Sequence, residues 1–169
     1  MAISVGILIV SDRCSRGEAE DRTSPLIREW ATDELSAEVQ IHDVIPDERQ
    51  LIRDTLVSWS DVEGVDLIIT SGGTGFAPRD VTPEATQDAI QRKVPGLAEA
   101  VRQQGMAKTP HAMLSRGIVG IRGQTLIVNL PGSPKAVRDG LGVILPALPH
   151  GLEILKGSHG ANQHHQYKE

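Results

Sequence analysis

The sequence predicts an α/β protein, a three-layer α/β/α sandwich around a mostly parallel, mixed sheet. Three observations predict it. The segments Val5–Val10, Val65–Thr70 and Thr125–Leu130 are nearly continuous apolar runs, the pattern of strands buried on both faces. Between them, apolar residues recur at three-to-four spacing, so that each helix lays one stripe on the sheet. Strand and helix alternate over most of the chain, which implies right-handed crossovers between parallel strands.

Taken in order, Val5–Val10 leads through Ser11-Asp12-Arg13 and a loop containing Gly17 and Asp21 to Ser24-Pro25. Leu26, Ile27, Trp30, Ala31 and Leu35 then mark a helix. Val39–Ile45 alternates more than the other strands, as expected nearer a sheet edge, and Asp47 is placed to cap a helix that starts at Glu48 and carries Leu51, Ile52, Leu56 and Trp59. Val65–Thr70 runs into Gly72-Gly73-Thr74-Gly75 and then Thr82-Pro83; Leu97, Ala98 and Val101 mark the next helix. Residues 118–130, broken by Gly120 and Gly123, read as a hairpin, which makes the sheet mixed. Thr125–Leu130 continues through Pro131-Gly132 to Ser133-Pro134 and a helix with Val137, Leu141, Ile144, Leu145 and Leu148. The Trp and Leu residues of these stripes are assigned to the core.

A chain of 169 residues, 39% apolar, suits one domain, here residues 1–156, followed by a polar tail over 157–169 that carries His159, His164 and His165. The aromatic residues Trp30, Trp59, Phe76 and Tyr167 are too few to stack successive bases. A formal charge of −5 also argues against a nucleic-acid backbone as partner. Cys14 is the single cysteine, so no internal disulfide is expected, which points to a reducing compartment, the cytoplasm. The first residues lack the basic region of a signal peptide, and no apolar run approaches the roughly 20 residues of a bilayer span. No membrane partner is expected.

The 17 glycines and 10 prolines are the most informative residues, because one design recurs three times. A buried strand is followed by a polar or glycine-rich loop and then by Ser24, Thr82 or Ser133 ahead of a proline. Ser or Thr at a helix N-cap satisfies free amides, and Pro at the first helical position costs no hydrogen bond. Three helix N-termini at the carboxyl edge of one sheet form an anion-binding region, and consecutive glycines let amides approach phosphate oxygens. The glycine loop lacks the ending of a Walker motif and the spacing of a dinucleotide fingerprint. Asp47 and Asp80 fall on the same edge. Two carboxylates beside a phosphate cradle suit Mg2+, which takes one or two carboxylates together with substrate phosphate oxygens. The residues alone therefore point to Mg2+-assisted handling of a phosphorylated small molecule.

At these residues the sequence resembles the molybdenum-cofactor biosynthesis family of Mog/MoaB-type molybdopterin-binding proteins. It is most similar to the molybdopterin adenylyltransferase domain found within the plant cofactor protein and gephyrin. The resemblance covers about residues 4–156. It is carried by Val10-Ser11-Asp12 with Glu20-Asp21-Arg22, Ile45-Pro46-Asp47-Glu48, the run GGTGFAPRDVTPEAT from Gly72 to Thr86, Met113-Leu114-Ser115-Arg116, Gly120-Ile121-Arg122-Gly123 and Asn129-Leu130-Pro131-Gly132-Ser133. The family commonly reads Asp-x-Ser-Gly where this chain has Asp21-Arg22-Thr23-Ser24.

The resemblance implies the MogA-like fold and a homotrimer. It also implies transfer of AMP from Mg-ATP to the terminal phosphate of molybdopterin, with release of pyrophosphate, ahead of molybdenum insertion by a separate insertase. By the same resemblance, Asp47 and Asp80 match essential acidic positions that organise Mg2+ and the triphosphate. Gly72, Gly73, Thr74 and Gly75 would hold phosphate, Ser115 and Ser133 would contact ligand, and Ser11, Asp12 and Gly132 complete the binding set. The alternative is a carrier that holds molybdopterin without adenylylating it; two metal-binding carboxylates favour the enzyme. A phosphoesterase lacks a clear general base, since His42, His111 and His150 read as surface or packing residues.

Overall fold

The computed structural model describes residues 2–157; the polar tail with its three histidines lies outside them. One six-stranded sheet runs in the order β2-β1-β3-β6-β5-β4. Its strands are β1 (Ile3–Val10), β2 (Ala37–Ile45), β3 (Leu67–Ser71), β4 (Arg92–Lys93), β5 (Val119–Arg122) and β6 (Thr125–Leu130). β2, β1, β3 and β6 are mutually parallel, whereas β5 pairs antiparallel with β6 and β4 antiparallel with β5. The predicted mixed sheet is thus observed, with β5 and β6 as the hairpin and β2 at an edge.

The helices are α1 (Asp12–Ser15), α2 (Ser24–Glu29), α3 (Arg49–Asp61), α4 (Thr82–Ala89), α5 (Pro95–Met106), α6 (Pro134–Ile144) and α7 (Leu148–Leu155). Successive side chains of a strand point to opposite faces. Val5, Ile7 and Ile9 of β1 therefore join one apolar cluster, with Ile27 of α2, Ala98 of α5, Leu141 and Ile144 of α6 and Leu152 of α7. Leu8 and Val10 join the other, with Ile52, Leu56 and Trp59 of α3 and Ala85 and Ala89 of α4. These two clusters cover the two faces of the sheet and complete the three layers. Within β6, Asn129 is buried, and its side-chain amide donates to Thr70 Oγ1 (3.0 Å) and Thr86 Oγ1 (2.9 Å) while its Oδ1 accepts from Ile118 N (3.2 Å). One side chain thus ties β6 to β3, α4 and the entry to β5.

Several local expectations are corrected. Strand β3 begins at Leu67 rather than Val65, because side chains enter the bonding of the two residues before it. Val65 O accepts from Thr125 Oγ1 (2.6 Å), and the Asp66 carboxylate accepts from Ser4 N (2.8 Å). Helix α2 continues into a wide π turn over Trp30–Glu34, and Ser36 at φ 52° then redirects the chain into β2. Leu51 is 39% exposed and lies off the stripe formed by Ile52, Leu56 and Trp59.

Of the three expected Ser/Thr caps only Ser133 acts as one, its Oγ accepting from Ala136 N (3.2 Å). Ser24 and Thr82 are instead the first residues of α2 and α4. At α2, Asp21 Oδ1 takes over, accepting from Thr23 N (3.1 Å) and Ser24 N (3.0 Å). Asp47 does not cap α3, which starts at Arg49 with Glu48 in the cap position.

Because Leu141 is fully buried, Leu141→Ala should lower unfolding stability by about 2–5 kcal/mol in denaturant titration. Leu51→Ala should cost about 1 kcal/mol or less, its side chain already meeting solvent.

Candidate active site at the carboxyl edge of the sheet

The end of β3 is wedged between its two neighbours. Gly72 N donates to Leu130 O (3.1 Å), and Ser71 Oγ donates to Pro131 O (3.0 Å). Gly72 sits at φ +105°, and a Cβ there would lie 2.2 Å from Val10 O, so only glycine fits. Gly73, at φ +65°, has the same restriction: a Cβ would lie 2.3 Å from Thr82 Oγ1 and 2.9 Å from Asp47 Oδ1. The ends of β1, β3 and β6 and the start of α4 are thereby brought into contact.

Two clefts open at this edge. The larger, of about 510 Å3, includes Thr74, Gly75, Ser115, His111 and Ser133, with Arg102 and Lys135 supplying positive charge and Lys108 paired with Asp139. The smaller, of about 330 Å3, includes Ser11, Asp21 and Asp47. Gly72, Gly73, Asp80 and Gly132 line both. What separates the clefts is therefore mainly backbone, and Asp80 stands where they meet.

Asp47 and Asp12 hold each other by their main chains. Asp12 N donates to Asp47 Oδ2 (2.8 Å), and Asp47 N donates to Asp12 Oδ1 (3.1 Å). The other carboxylate oxygen of Asp47, Oδ1, is buried and without a protein partner, as is Thr82 Oγ1; both flank Gly73. Burial pushes the Asp47 carboxyl above its ordinary value, and the neighbouring negative charges of Asp12 and Asp80 push the same way. Asp12 behaves oppositely. Arg79 grips both of its oxygens at 2.9 Å and holds its pKa at about 2. A folded-state value below 3.8 means that this pair stabilises the fold above pH 3.8 and fades as the pH falls through about 2.

Asp80 closes a turn on itself, Oδ2 accepting from Ala77 N (3.0 Å) and its N–H donating to Ala77 O (2.9 Å). Its loop is gripped by Arg116. Arg116 Nε donates to Gly75 O (2.8 Å), a terminal nitrogen donates to Asp80 O (2.7 Å), and the other terminal nitrogen pairs with Glu84 of α4.

All the sequence-predicted residues but Asp12 thus divide in three. Gly72, Gly73, Asp80 and Gly132 form the shared wall; Ser11 and Asp47 face the smaller cleft, and Thr74, Gly75, Ser115 and Ser133 the larger. Asp12 lines neither cleft and instead orients Asp47. Ser11 and Ser133 also cap α1 and α6. His111, expected on the surface or in packing, lies in the larger cleft, whereas His42 Nε2 packs 2.7 Å from Ser24 Oγ. Sequence reasoning missed Arg79, Arg116 and Thr82 as site residues. The signal was the run around Asp80 and the Ser115-Arg116 pair, both noticed as motifs but without partners to assign.

Among the described residues no group of three or more His, Cys, Asp or Glu is placed to hold a metal ion. Asp47, with its free Oδ1, and Asp80 nonetheless fit Mg2+, whose remaining positions substrate phosphates and water would fill.

Two clefts sharing a glycine wall at the carboxyl edge of an α/β sandwich stand where proteins of this class bind small ligands. The family model described as "Probable molybdopterin binding domain" matches residues 6–150, and the chain belongs to that family. It is 40% identical over 158 residues to molybdopterin adenylyltransferase of Helicobacter pylori (strain J99), covering 93% of this chain and 90% of that protein. It is 43% identical over 160 residues to gephyrin of Dictyostelium discoideum, which takes in 89% of this chain and 22% of that protein, so the chain spans under a quarter of this longer relative. Among solved structures, the molybdopterin biosynthesis enzyme MoaB from Thermus thermophilus superposes with a TM-score of 0.87 at 53% identity, covering 92% of this chain and 97% of that one. No helix among the described residues is long and apolar enough to cross a membrane.

Replacing Arg79 by Gln should raise the Asp12 pKa from about 2 toward 3.8 and drive the Asp47 carboxyl further upward, since Arg79 opposes protonation of both. Carboxyl 13C titration by NMR reads both shifts.

Proposed function

We infer that the protein is a molybdopterin adenylyltransferase, taking AMP from Mg-ATP onto the terminal phosphate of molybdopterin and releasing pyrophosphate. One observation supports the reading most: two clefts share a wall of Gly72, Gly73 and Gly132, with Asp80 at the junction and the free Asp47 oxygen beside Gly73, which leaves room for two substrates side by side. The names of the bacterial relatives support the activity.

Transfer between two phosphorylated molecules needs the attacking oxygen and the α-phosphorus brought into line with little charge repulsion. The shared wall supplies the first requirement, because ligands in adjoining clefts can bring phosphates within reach of each other only where both clefts are open. Thr74 and the amides of Gly73 and Gly75 would hold phosphate oxygens there, the Gly72 amide being bonded to Leu130 O, and Ser115 and Ser133 would orient the ligand in the larger cleft. The cations Arg102 and Lys135 offset negative charge of that ligand, the charge of Lys108 being already met by Asp139. Asp47 and Asp80 would hold Mg2+, whose chemistry is neutralisation of the triphosphate charge. Asp12 and Arg79 keep Asp47 facing the junction.

The same reading includes a homotrimer, a cytoplasmic setting and a separate insertase that consumes the adenylylated product. Support for these comes from the family resemblance and, for the compartment, from the lone Cys14.

Incubating the purified protein with molybdopterin, Mg2+ and α-labelled ATP should yield adenylyl-molybdopterin and pyrophosphate in equal amounts. Binding of molybdopterin without either product would make the protein a carrier and end the enzyme reading. Asp80→Ala should abolish turnover while leaving the Kd for molybdopterin within about threefold, the pattern of a residue that acts on the transition state rather than on ground-state binding.

A further inference from the structure

Arg116 is the residue best placed to act on the reaction without touching the reacting atoms. Its guanidinium meets both ends of the segment that carries Asp80: Gly75 O at the start, Asp80 O at the end, and Glu84 on the first turn of α4. Between these anchors the chain is exposed, with Phe76 70% exposed, and its internal ties are the two bonds between Ala77 and Asp80. The same residue ends the Met113-Leu114-Ser115-Arg116 stretch, in which Leu114 and Ser115 form part of the larger cleft. Arg116 thus links a wall of one cleft to the carboxylate at the junction of both.

We propose that Arg116 is a positioning residue for adenylyl transfer, setting the place of the Asp80 carboxylate through the Asp80 carbonyl, Gly75 and Glu84. The inference rests on the adenylyltransferase reading for its consequence in turnover, but not for its structural content. A planar guanidinium can donate in three directions at fixed angles, which the single ammonium of lysine does not reproduce, so Arg116→Lys keeps charge and stem while losing the clamp. The main-chain bond from Arg116 N to Thr74 O (2.8 Å) survives either substitution, so the glycine end of the segment stays in place, while the Asp80 end loses its clamp and keeps only the Arg79–Asp12 pair and the bond from Thr82 N to Gly73 O (3.1 Å).

The test compares Arg116→Lys and Arg116→Ala with the unaltered protein by amide hydrogen exchange, thermal melting and steady-state kinetics. Arg116→Lys should melt within a few degrees of the parent and exchange about tenfold faster over residues 76–84, with β1 and β3 still protected. Its kcat should fall about 100-fold, the scale of a small misplacement, and the Mg2+ concentration for half-maximal rate should rise. The KM for molybdopterin should stay within about threefold. Unchanged exchange over residues 76–84, a kcat within about threefold of the parent, or loss of molybdopterin binding in step with kcat would each overturn the proposal. If Arg116→Ala unfolds, the lysine variant decides. Should the unaltered protein make no adenylyl-molybdopterin, the functional reading fails by itself and the exchange comparison still settles whether Arg116 places the Asp80 segment.

Discussion

Everything at the carboxyl edge depends on the steric limit at Gly72. The backbone there passes so close to the carbonyl of Val10 that no side chain can be accommodated, while its amide is bonded to Leu130. That contact pulls the end of the central strand β3 against both neighbours at once. Without it the loops after β1, β3 and β6 would splay apart as separate turns. With it, Gly72 and Gly132 approach until a Cβ on Gly132 would lie 3.4 Å from Gly72 Cα, and the two clefts come to share a wall only a backbone thick.

The carboxylates at this edge are kept apart in character by their surroundings. Asp12 is satisfied by a bidentate arginine and stays ionised under all ordinary conditions, whereas Asp47 gives up one oxygen to a main-chain amide and keeps the other free in a buried position. Unpaired buried oxygens are expensive to maintain, and the reciprocal bonds between Asp12 and Asp47 hold this one in place. Such an arrangement suits an acidic group held ready for an outside cation better than one serving the fold.

The fold class was legible in the sequence because it rests on long apolar runs and their alternation with amphipathic helices, signals that do not depend on distant residues. The edge position of β2 was legible for the same reason. Strand β4 was not: Arg92 and Lys93 are two exposed residues whose pairing with β5 comes from the hairpin beside them. Helix starts were misread by one residue, α2 and α4 beginning earlier than expected and α3 later. The Ser-Pro and Thr-Pro pairs at 24 and 82 satisfy the local rule, but Asp21 outcompetes Ser24 for the free amides, and Thr82 turns its hydroxyl toward Gly73. At the site, Asp47, Asp80 and the glycines were recognisable from residue type and spacing. The arginines were not, because the partners of Arg79 lie 67 residues away, those of Arg116 between 32 and 41 away, and a guanidinium carries no mark of which carbonyl it will meet. Nor does spacing reveal two clefts in place of one, since that follows from how closely the loops approach.

Asn129 gives the sheet a way of rejecting its own mistakes. An apolar strand such as β6 could pair with β3 at several offsets with similar burial, because Leu, Ile and Val are nearly interchangeable in a hydrocarbon layer. At one offset alone do Thr70, Thr86 and Ile118 all meet the amide of Asn129. Any slipped pairing strands that amide in an apolar setting with its bonding groups unmet. Assembly errors are thus discarded one layer beneath the catalytic edge, and only molecules with the correct strand offset ever present the glycine cradle.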